Sequence, residues 1–248
     1  MKKFTLLLVA LLFITGSNYA QRNFAITLGT RSVSYSGRSI QLYYRDESPA
    51  PDNFYTNINL SSNTLYNFGF SFNRFTPDNY YVGFDLDVYF SAYFAASLGA
   101  SFGVPFYLED NRRLRFVPMI SAGLGLYRKD LGVLENNTTW IQVNDIQFDD
   151  YENVSLSLTA IYGYITPSFR TMYQLKPNVD LFVSLGYAIT FEGSPDVDFG
   201  GNSDGESVVA TEELGANNIA FYVDNRRTND SPFNLSGFEI KIGANVRW

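Results

Sequence analysis

The chain lacks two residue types on which much protein chemistry depends. Among its 248 residues there is no cysteine and no histidine. The absence of cysteine excludes disulfides, thiolate nucleophiles, iron–sulfur ligation and thiolate zinc sites. The absence of histidine removes the commonest general base and the commonest metal ligand. The composition therefore predicts a protein that is not an enzyme and that carries no cofactor.

Charge is also scarce, and basic charge is scarcer than acidic. Charged residues make up 17% of the chain, with 18 Lys and Arg against 25 Asp and Glu; soluble domains average about 25% charged residues. An acidic chain repels the negatively charged phosphates of nucleic acid, which argues against a nucleic-acid partner.

Long apolar runs are missing too. The most apolar run, Phe4 to Ile14, is too short for a membrane-spanning helix, which needs about 20 residues.

That apolar run belongs to a segment with the layout of an export signal. Lys2 and Lys3 precede it, and the small residues Gly16, Ser17 and Ala20 follow it. We expect residues 1–20 to be a secretory signal peptide, cleaved after Ala20 once the chain has crossed the inner membrane. Residues 21–248 then form a single domain.

What the chain does have is aromatic residues and a strict alternation of apolar and polar positions. The segment from Phe238 to Trp248 is apolar at every even position, and at the odd positions it is polar or glycine. This two-residue period is typical of a strand with different surroundings on its two faces. Seven more segments share it, although the phase of the sixth is ambiguous after Tyr164. The sequence predicts eight strands, which begin near Phe24, Tyr66, Val82, Leu98, Leu114, Val154, Leu181 and Gly237.

The connections between these strands alternate in length. Short turn-forming links lie near 76–79, 109–112 and 174–179, with one tight link near 92–96. The long connections are 36–62, 128–153 and 192–235, and they hold 18 of the 25 acidic residues. Short turns at one end and long loops at the other are typical of barrels in an outer membrane.

Two kinds of closed barrel fit alternating strands. One is a soluble, lipocalin-like carrier with an apolar interior, and the other is a membrane barrel with an apolar exterior. The loop asymmetry and the small Gly, Ser and Asn residues on the polar face favour the membrane barrel, because small side chains fill a narrow lumen. We therefore predict an all-β fold: an eight-stranded antiparallel up-and-down transmembrane β-barrel spanning residues 21–248.

On strand number, loop asymmetry and the final alternating segment, the chain resembles the small eight-stranded outer-membrane barrels of the OmpA/OmpX type. The resemblance covers Phe24 to Trp248 and implies a Gram-negative cell outer membrane, with its lipid as the surroundings. It also implies that Trp248, an aromatic residue that ends an alternating strand, is an insertion signal for the outer-membrane insertion machinery. The two-domain relatives are not a match, because no peptidoglycan-binding segment is expected.

Charged residues on the polar face indicate where a functional site would lie. Counting positions from the periplasmic end of each strand predicts a mid-depth lumen charge network of three acids and two bases: Arg31, Asp85, Asp87, Glu239 and Lys241. The same count predicts a basic inner periplasmic rim of Arg74, Arg115, Arg170 and Arg247. These charges either fill the lumen as a paired core or line a gated ion path.

The long loops hold two weaker signals. Acidic residues and glycines cluster in 196–206, which makes four side chains weak candidates for a calcium site although EF-hand spacing is absent: Asp196, Asp198, Asp204 and Glu206. Apolar residues recur at Trp140, Ile141, Val143, Ile146 and Phe148. They predict either a hairpin with a recognition edge or packing of this loop against the barrel mouth.

These observations favour an integral outer-membrane protein with a structural, adhesion or interaction role. The acidic external loops would meet a surface or envelope protein partner, and the chain could be an accessory subunit of an envelope complex. The alternative is a narrow, porin-like passage for small or hydrophobic solutes.

Overall fold

The computed structural model describes residues 21–248 except 36, 46, 48–52, 60–63, 92, 109–110, 136–140, 150–152, 217 and 248. The predicted signal peptide and Trp248 lie outside the described residues. Within them no helix is long and apolar enough to cross a membrane. Eight of the eleven strands in the main sheet form the barrel: β1 (Gln21–Ser32), β2 (Thr64–Phe75), β3 (Tyr81–Ser91), β4 (Phe94–Gly103), β5 (Asn111–Leu134), β6 (Val154–Lys176), β7 (Val179–Glu192) and β8 (Gly237–Arg247).

These eight strands close into a ring. Each pairs antiparallel with the next strand along the chain. The last strand, β8, returns to β1, with Asn23 opposite Arg247 at one end and Arg31 opposite Glu239 at the other. A closed ring satisfies the backbone of every strand without a free edge, as a barrel within lipid requires. The predicted eight-stranded up-and-down barrel is confirmed.

The register turns the apolar face of the barrel strands outward. On β8, Ile240 and Ile242 are 41% and 54% exposed, whereas Glu239 is 6% exposed. On β2, Phe68 is exposed and its neighbour Asn67 is buried. A soluble carrier would show the reverse arrangement, so the lipocalin-like alternative is wrong. The outward belt has the polarity of a lipid-facing surface.

Two prolines lie within this wall. Pro118 on β5 faces Phe169, and Pro167 on β6 faces Ile120, without a shift of register at either position. Both prolines are exposed, in phase with the outward apolar residues, so the alternation of β6 continues unbroken past Tyr164. Each proline removes one N–H donor from the ladder, but the neighbouring pairs hold the register.

The long connections fold together at one end of the barrel, in a unit that we call the cap: the described residues of 33–63, 128–159 and 193–236. A four-stranded sheet contains Arg226–Thr228, Ile219–Val223, Ile40–Arg45 and Asn53–Asn57 in that order. The hairpin Asp196–Ser203 and Glu206–Glu213 extends the main sheet from β6. Two shorter antiparallel pairs also lie in the cap: Ile141–Val143 with Ile146–Phe148, and Ser34–Tyr35 with Phe233–Asn234. At the opposite end of the barrel, Phe106–Leu108 pairs with β5.

The interior of the cap is apolar and continues into the upper barrel. Leu42, Phe199 and Phe221 are fully buried, and they belong to one cluster with Tyr127 on β5 and Tyr162 on β6. A single apolar cluster therefore spans the cap and the barrel mouth beneath it.

Candidate functional site

The centre of the site is an ion-pair network inside the barrel. Arg31 on β1 lies directly opposite Glu239 on β8, and its Nε and Nη2 donate to Glu239 Oε2 at 2.9 and 2.6 Å. Lys241 is two residues further along β8 and so projects from the same inward face. Its Nζ contacts Asp87 Oδ2 at 2.8 Å and Glu239 Oε1 at 3.0 Å. Two bases and two acids are thus joined through one shared carboxylate.

Neutral groups complete this network. The Tyr89 hydroxyl accepts a hydrogen bond from Arg31 Nη2 at 2.6 Å and donates to Glu239 Oε2 at 3.0 Å. Asn67 Nδ2 donates to Asp87 Oδ1 at 3.1 Å. Buried charges are tolerated when they are paired and hydrogen-bonded in this way. Tyr89 and Asn67 were not predicted, although both lie in the inward phase of their strands.

Asp85 lies on the same strand as Asp87 but has different contacts. Its carboxylate accepts a hydrogen bond from the Ser101 hydroxyl, which in turn accepts one from Ser121 at 3.2 Å. Of the five residues predicted for the network, the structure joins four by ion pairs. Asp85 lies two residues further from the cap, among hydroxyl groups.

Glycines make room for these long side chains. A Cβ on Gly69 would clash with the Asp87 carboxylate and would lie 2.6 Å from Thr27 Oγ1. A Cβ on Gly29 would lie 2.8 Å from Lys241 Cγ. Inward glycine thus has a packing role beside the charged residues, because the narrow lumen leaves no space for a methyl group.

A second charged level lies near the end of the barrel opposite the cap and is centred on Asp180. This fully buried carboxylate forms ion pairs with Arg247 and with Arg115, the latter at 3.2 Å. Arg170 instead donates to the Tyr81 hydroxyl at 2.6 Å and stacks on Phe182 at 4.3 Å. The prediction missed Asp180, although it occupies the inward phase at the start of β7.

Arg74 does not belong to this level, and its predicted place on the inner rim is corrected. It follows Phe72 in the outward phase of β2, where the even positions face lipid and Asn73 faces the lumen. At the end of a strand, a long arginine side chain can extend its guanidinium toward the polar membrane surface. The inner rim therefore consists of Arg115 and Arg247, which pair with Asp180, and of Arg170, which contacts Tyr81 and Phe182.

Little space remains between the two levels. The cavity between them has a volume of about 30 Å³, and its walls include Thr27, Asp85, Ser121, Tyr164 and Arg170. A volume of this size holds about two water molecules. This cavity between the two charged levels is therefore too small for a solute.

Above the network, the side chain of Lys129 is buried beneath the cap. The exposed residues Arg128 and Asp130 mark the end of the lipid belt on β5, and Lys129 between them points inward and is 3% exposed. Its Nζ lies 4.8 Å from the ring centre of Tyr93 and 5.1 Å from that of Phe233. Desolvation lowers the pKa of Lys129, and the aromatic faces stabilise the ammonium form.

An acidic group lies at the same end of the barrel. Glu192 is the last residue of β7, and its carboxylate accepts a hydrogen bond from the Tyr127 hydroxyl.

The weak calcium candidates lie along one hairpin of the cap. Asp198 accepts hydrogen bonds from Thr159 at 2.9 Å and from Thr211 at 2.8 Å. The backbone N–H of Asp204 donates to Asp149. Within the part of the chain that the structure describes, no group of three or more acidic side chains is placed to hold a metal ion. The four candidates, Asp196, Asp198, Asp204 and Glu206, are instead distributed along the two strands and the turn.

The apolar residues predicted in the second long loop are packed inside the cap. Ile141 and Val143 are fully buried, and Phe148 is 1% exposed. All three belong to the apolar cluster of the cap, and Ile146 packs against it. The burial of these side chains agrees with packing of the loop above the barrel mouth rather than with a free recognition edge. Trp140 lies outside the described residues.

Comparison with known proteins gives structural neighbours only. No protein-family model and no curated protein sequence matches the chain. Among solved structures, Neisserial surface protein A is similar at 13% identity with a TM-score of 0.39, covering 91% of this chain and 97% of that one. A major outer membrane protein from Thermus thermophilus is similar at 11% identity with a TM-score of 0.49, over 92% and 99%.

A third neighbour is the outer membrane protease OmpT of Escherichia coli, at 9% identity with a TM-score of 0.37, over 92% and 97%. The architecture of this chain is established by its own closed register and its outward apolar belt. The chain is an all-β, eight-stranded antiparallel transmembrane β-barrel of the kind that small outer-membrane proteins form.

Proposed function

We propose that this protein is an integral outer-membrane barrel that holds a folded cap at the outer face and acts by interaction rather than by transport. The observation that carries the proposal is the filled interior. Two ion-paired levels occupy the lumen, and the apolar cluster of the cap covers its upper end. The cavity of about 30 Å³ between the levels favours a closed barrel over a passage for solutes.

The surroundings proposed for the barrel are the lipid of an outer membrane, entered through the insertion machinery. The outward belt and the predicted export segment at 1–20 support this placement, because a closed barrel pairs its own backbone groups within lipid. The acidic cap would then face the cell exterior and meet a surface or envelope partner. We infer no catalytic role, since the chain has neither histidine nor cysteine.

The closed lumen is tested by electrical recording. The refolded full chain is inserted into planar bilayers, with an open porin as the positive control in the same membranes. We expect no current steps from the wild type. Lys241→Ala is recorded in parallel, because it removes the side chain that joins Asp87 to Glu239. Stable ohmic conductance of the folded wild-type protein would overturn the proposed closure and favour a channel.

The placement is tested separately in cells. After fractionation, the protein should be recovered with the outer membrane. Protease added to intact cells should cleave the chain only within 33–63, 128–159 or 193–236. Recovery from the soluble periplasm, or protection of the cap in intact cells and cleavage only after lysis, would contradict the proposed orientation.

A further inference from the structure

The outer face of the four-stranded sheet in the cap has an unusual composition. Its inner face buries Leu42 and Phe221 in the apolar cluster. Antiparallel partners share a face, so the register identifies the outward residues. They are Arg227, Tyr222, Gln41 and Asn57 in one row, Ala220, Tyr43 and Tyr55 in the next, and Arg45 with Asn53 at the end.

Three tyrosines form a continuous aromatic patch on this face. The ring centres of Tyr43 and Tyr55 are 5.2 Å apart, and that of Tyr222 lies 6.0 and 6.2 Å from them. Tyr55 is 58% exposed. These rings are held by a sheet rather than by a flexible loop, so their faces are presented in a fixed arrangement.

Amide side chains surround the patch. Gln41 Nε2 donates to Asn57 Oδ1 at 2.7 Å, and the Tyr43 hydroxyl donates to Asn53 Oδ1 at 2.8 Å. Each amide has more donors and acceptors than these bonds use. The outward positions of the four strands carry no carboxylate, although the loops of this protein are rich in acid.

A cleft adjoins the patch. It lies between Asn53–Asn57 and the upper end of β5, has a volume of about 570 Å³, and is lined by Asn53, Tyr55, Asn57, Val133 and Glu135. This volume is in the range of small-molecule sites. Leu126 is the last apolar residue of the lipid-facing belt on β5, before Arg128, and Val133 lies seven residues beyond it. At the rise of a β-strand, seven residues place the cleft on the order of 20 Å above the lipid, measured along the strand.

A peptide strand is a poor occupant of this cleft. Thr56 Oγ1 donates to the Val133 carbonyl at 3.1 Å across its floor. This bond limits the separation of the two backbones to about 8 Å, whereas an inserted strand needs about 9.5 Å. The structure thus favours a ligand that lies on the patch and enters the cleft from its open side.

We propose that the cleft and the tyrosine patch together bind a saccharide chain. A sugar ring has an apolar C–H face that stacks on an aromatic ring, and hydroxyl groups at its edge that both donate and accept hydrogen bonds. Tyr55 lies at the junction of the patch and the cleft and supplies the stacking surface, while Asn53 and Asn57 supply the amide partners. This inference rests on the proposed external placement of the cap, since only there does it meet surface polysaccharide.

The test uses the purified full chain, folded in detergent, so it depends neither on location nor on conductance. The probes are delipidated polysaccharide released from the envelope of the producing cells and, separately, the intact glycolipid in nanodiscs. We expect wild type to bind the polysaccharide, and Tyr55→Ala to weaken binding at least tenfold. Tyr55→Phe keeps the ring face and should stay within about threefold of wild type. Binding of the nanodiscs alone would assign the site to membrane glycolipid.

Val209→Ala serves as the matched control, because Val209 is 62% exposed on the other hairpin of the cap and lies outside the cleft. Folding of all variants is checked by the heat-dependent shift of the barrel on gels. Failure of wild type to bind either probe at millimolar sugar, or equal binding by Tyr55→Ala, would overturn the proposal. Loss of the bound material after protease treatment of the probes would point to a protein partner instead. None of these outcomes bears on whether the barrel conducts.

Discussion

Replacement of Lys241 by methionine should destabilise the barrel strongly. The Lys241 ammonium group joins Asp87 to Glu239, at 2.8 and 3.0 Å. Without it, Glu239 keeps its ion pair with Arg31, but the described contacts leave Asp87 with one hydrogen bond, from Asn67, and no ion pair. Removing one partner of a buried pair costs about 3–5 kcal/mol, because the remaining charge stays buried without compensation. We expect a loss of that order in the free energy of unfolding.

The same geometry predicts a partial rescue. In Lys241→Met combined with Asp87→Asn, the stranded charge becomes a neutral amide that still faces Asn67. The double variant should therefore recover about 2 kcal/mol or more relative to Lys241→Met alone, which is a non-additive effect expected of neighbours. Asp87→Asn alone should cost less than Lys241→Met, because Lys241 keeps its contact with Glu239.

Urea unfolding in lipid vesicles, followed by tryptophan fluorescence and by the heat-dependent gel shift, measures these differences. A cost of less than about 1 kcal/mol for Lys241→Met, or a double variant that shows only the sum of the two single losses, would contradict a buried and uncompensated Asp87. Either outcome would mean that water reaches Asp87 and compensates its charge.

Two further effects follow from the described contacts. Gly99→Ala should lower the free energy of unfolding by about 1–3 kcal/mol, because the added Cβ would clash with the Tyr164 hydroxyl. Gly163→Ala is the matched control, since its Cβ would meet nothing closer than 3.9 Å. Equal urea midpoints for the two variants would contradict this. Asp180→Asn should lower the free energy of unfolding by about 3–5 kcal/mol, because two buried guanidinium groups would lose their acidic partner. A change within error of zero in the same assay would contradict the second charged level.

The wall of the barrel could be predicted from sequence because its signal is local. On β8, Ile240 and Ile242 alternate with Glu239 and Lys241, and a two-residue period assigns each residue to one face without knowledge of the neighbouring strands. The prediction for Arg74 was wrong because it used only the depth of Arg74 along β2 and not the face of the strand on which Arg74 lies. Checking that face against Phe72 would have placed it outward.

The contacts inside the lumen could be predicted only in part. Depth along each strand brought Arg31, Glu239 and Lys241 to one level, but the choice of partners depends on register between strands that are distant in sequence. Asp180 joins Arg115 and Arg247, which lie 65 and 67 residues away. No local pattern contains that information.

Strand number, the face of each strand and the end at which the long loops emerge can be read from the chain alone, because alternation and turn residues act over a few positions. The apolar interior of the cap and the shared exposed face of Tyr43, Tyr55 and Tyr222 are visible only in the folded molecule. Those loops have no long periodic segments, and their burial depends on packing between three connections that are far apart in the chain. Packing of that kind is a property of the whole fold, since each loop buries its apolar side chains only against the other two.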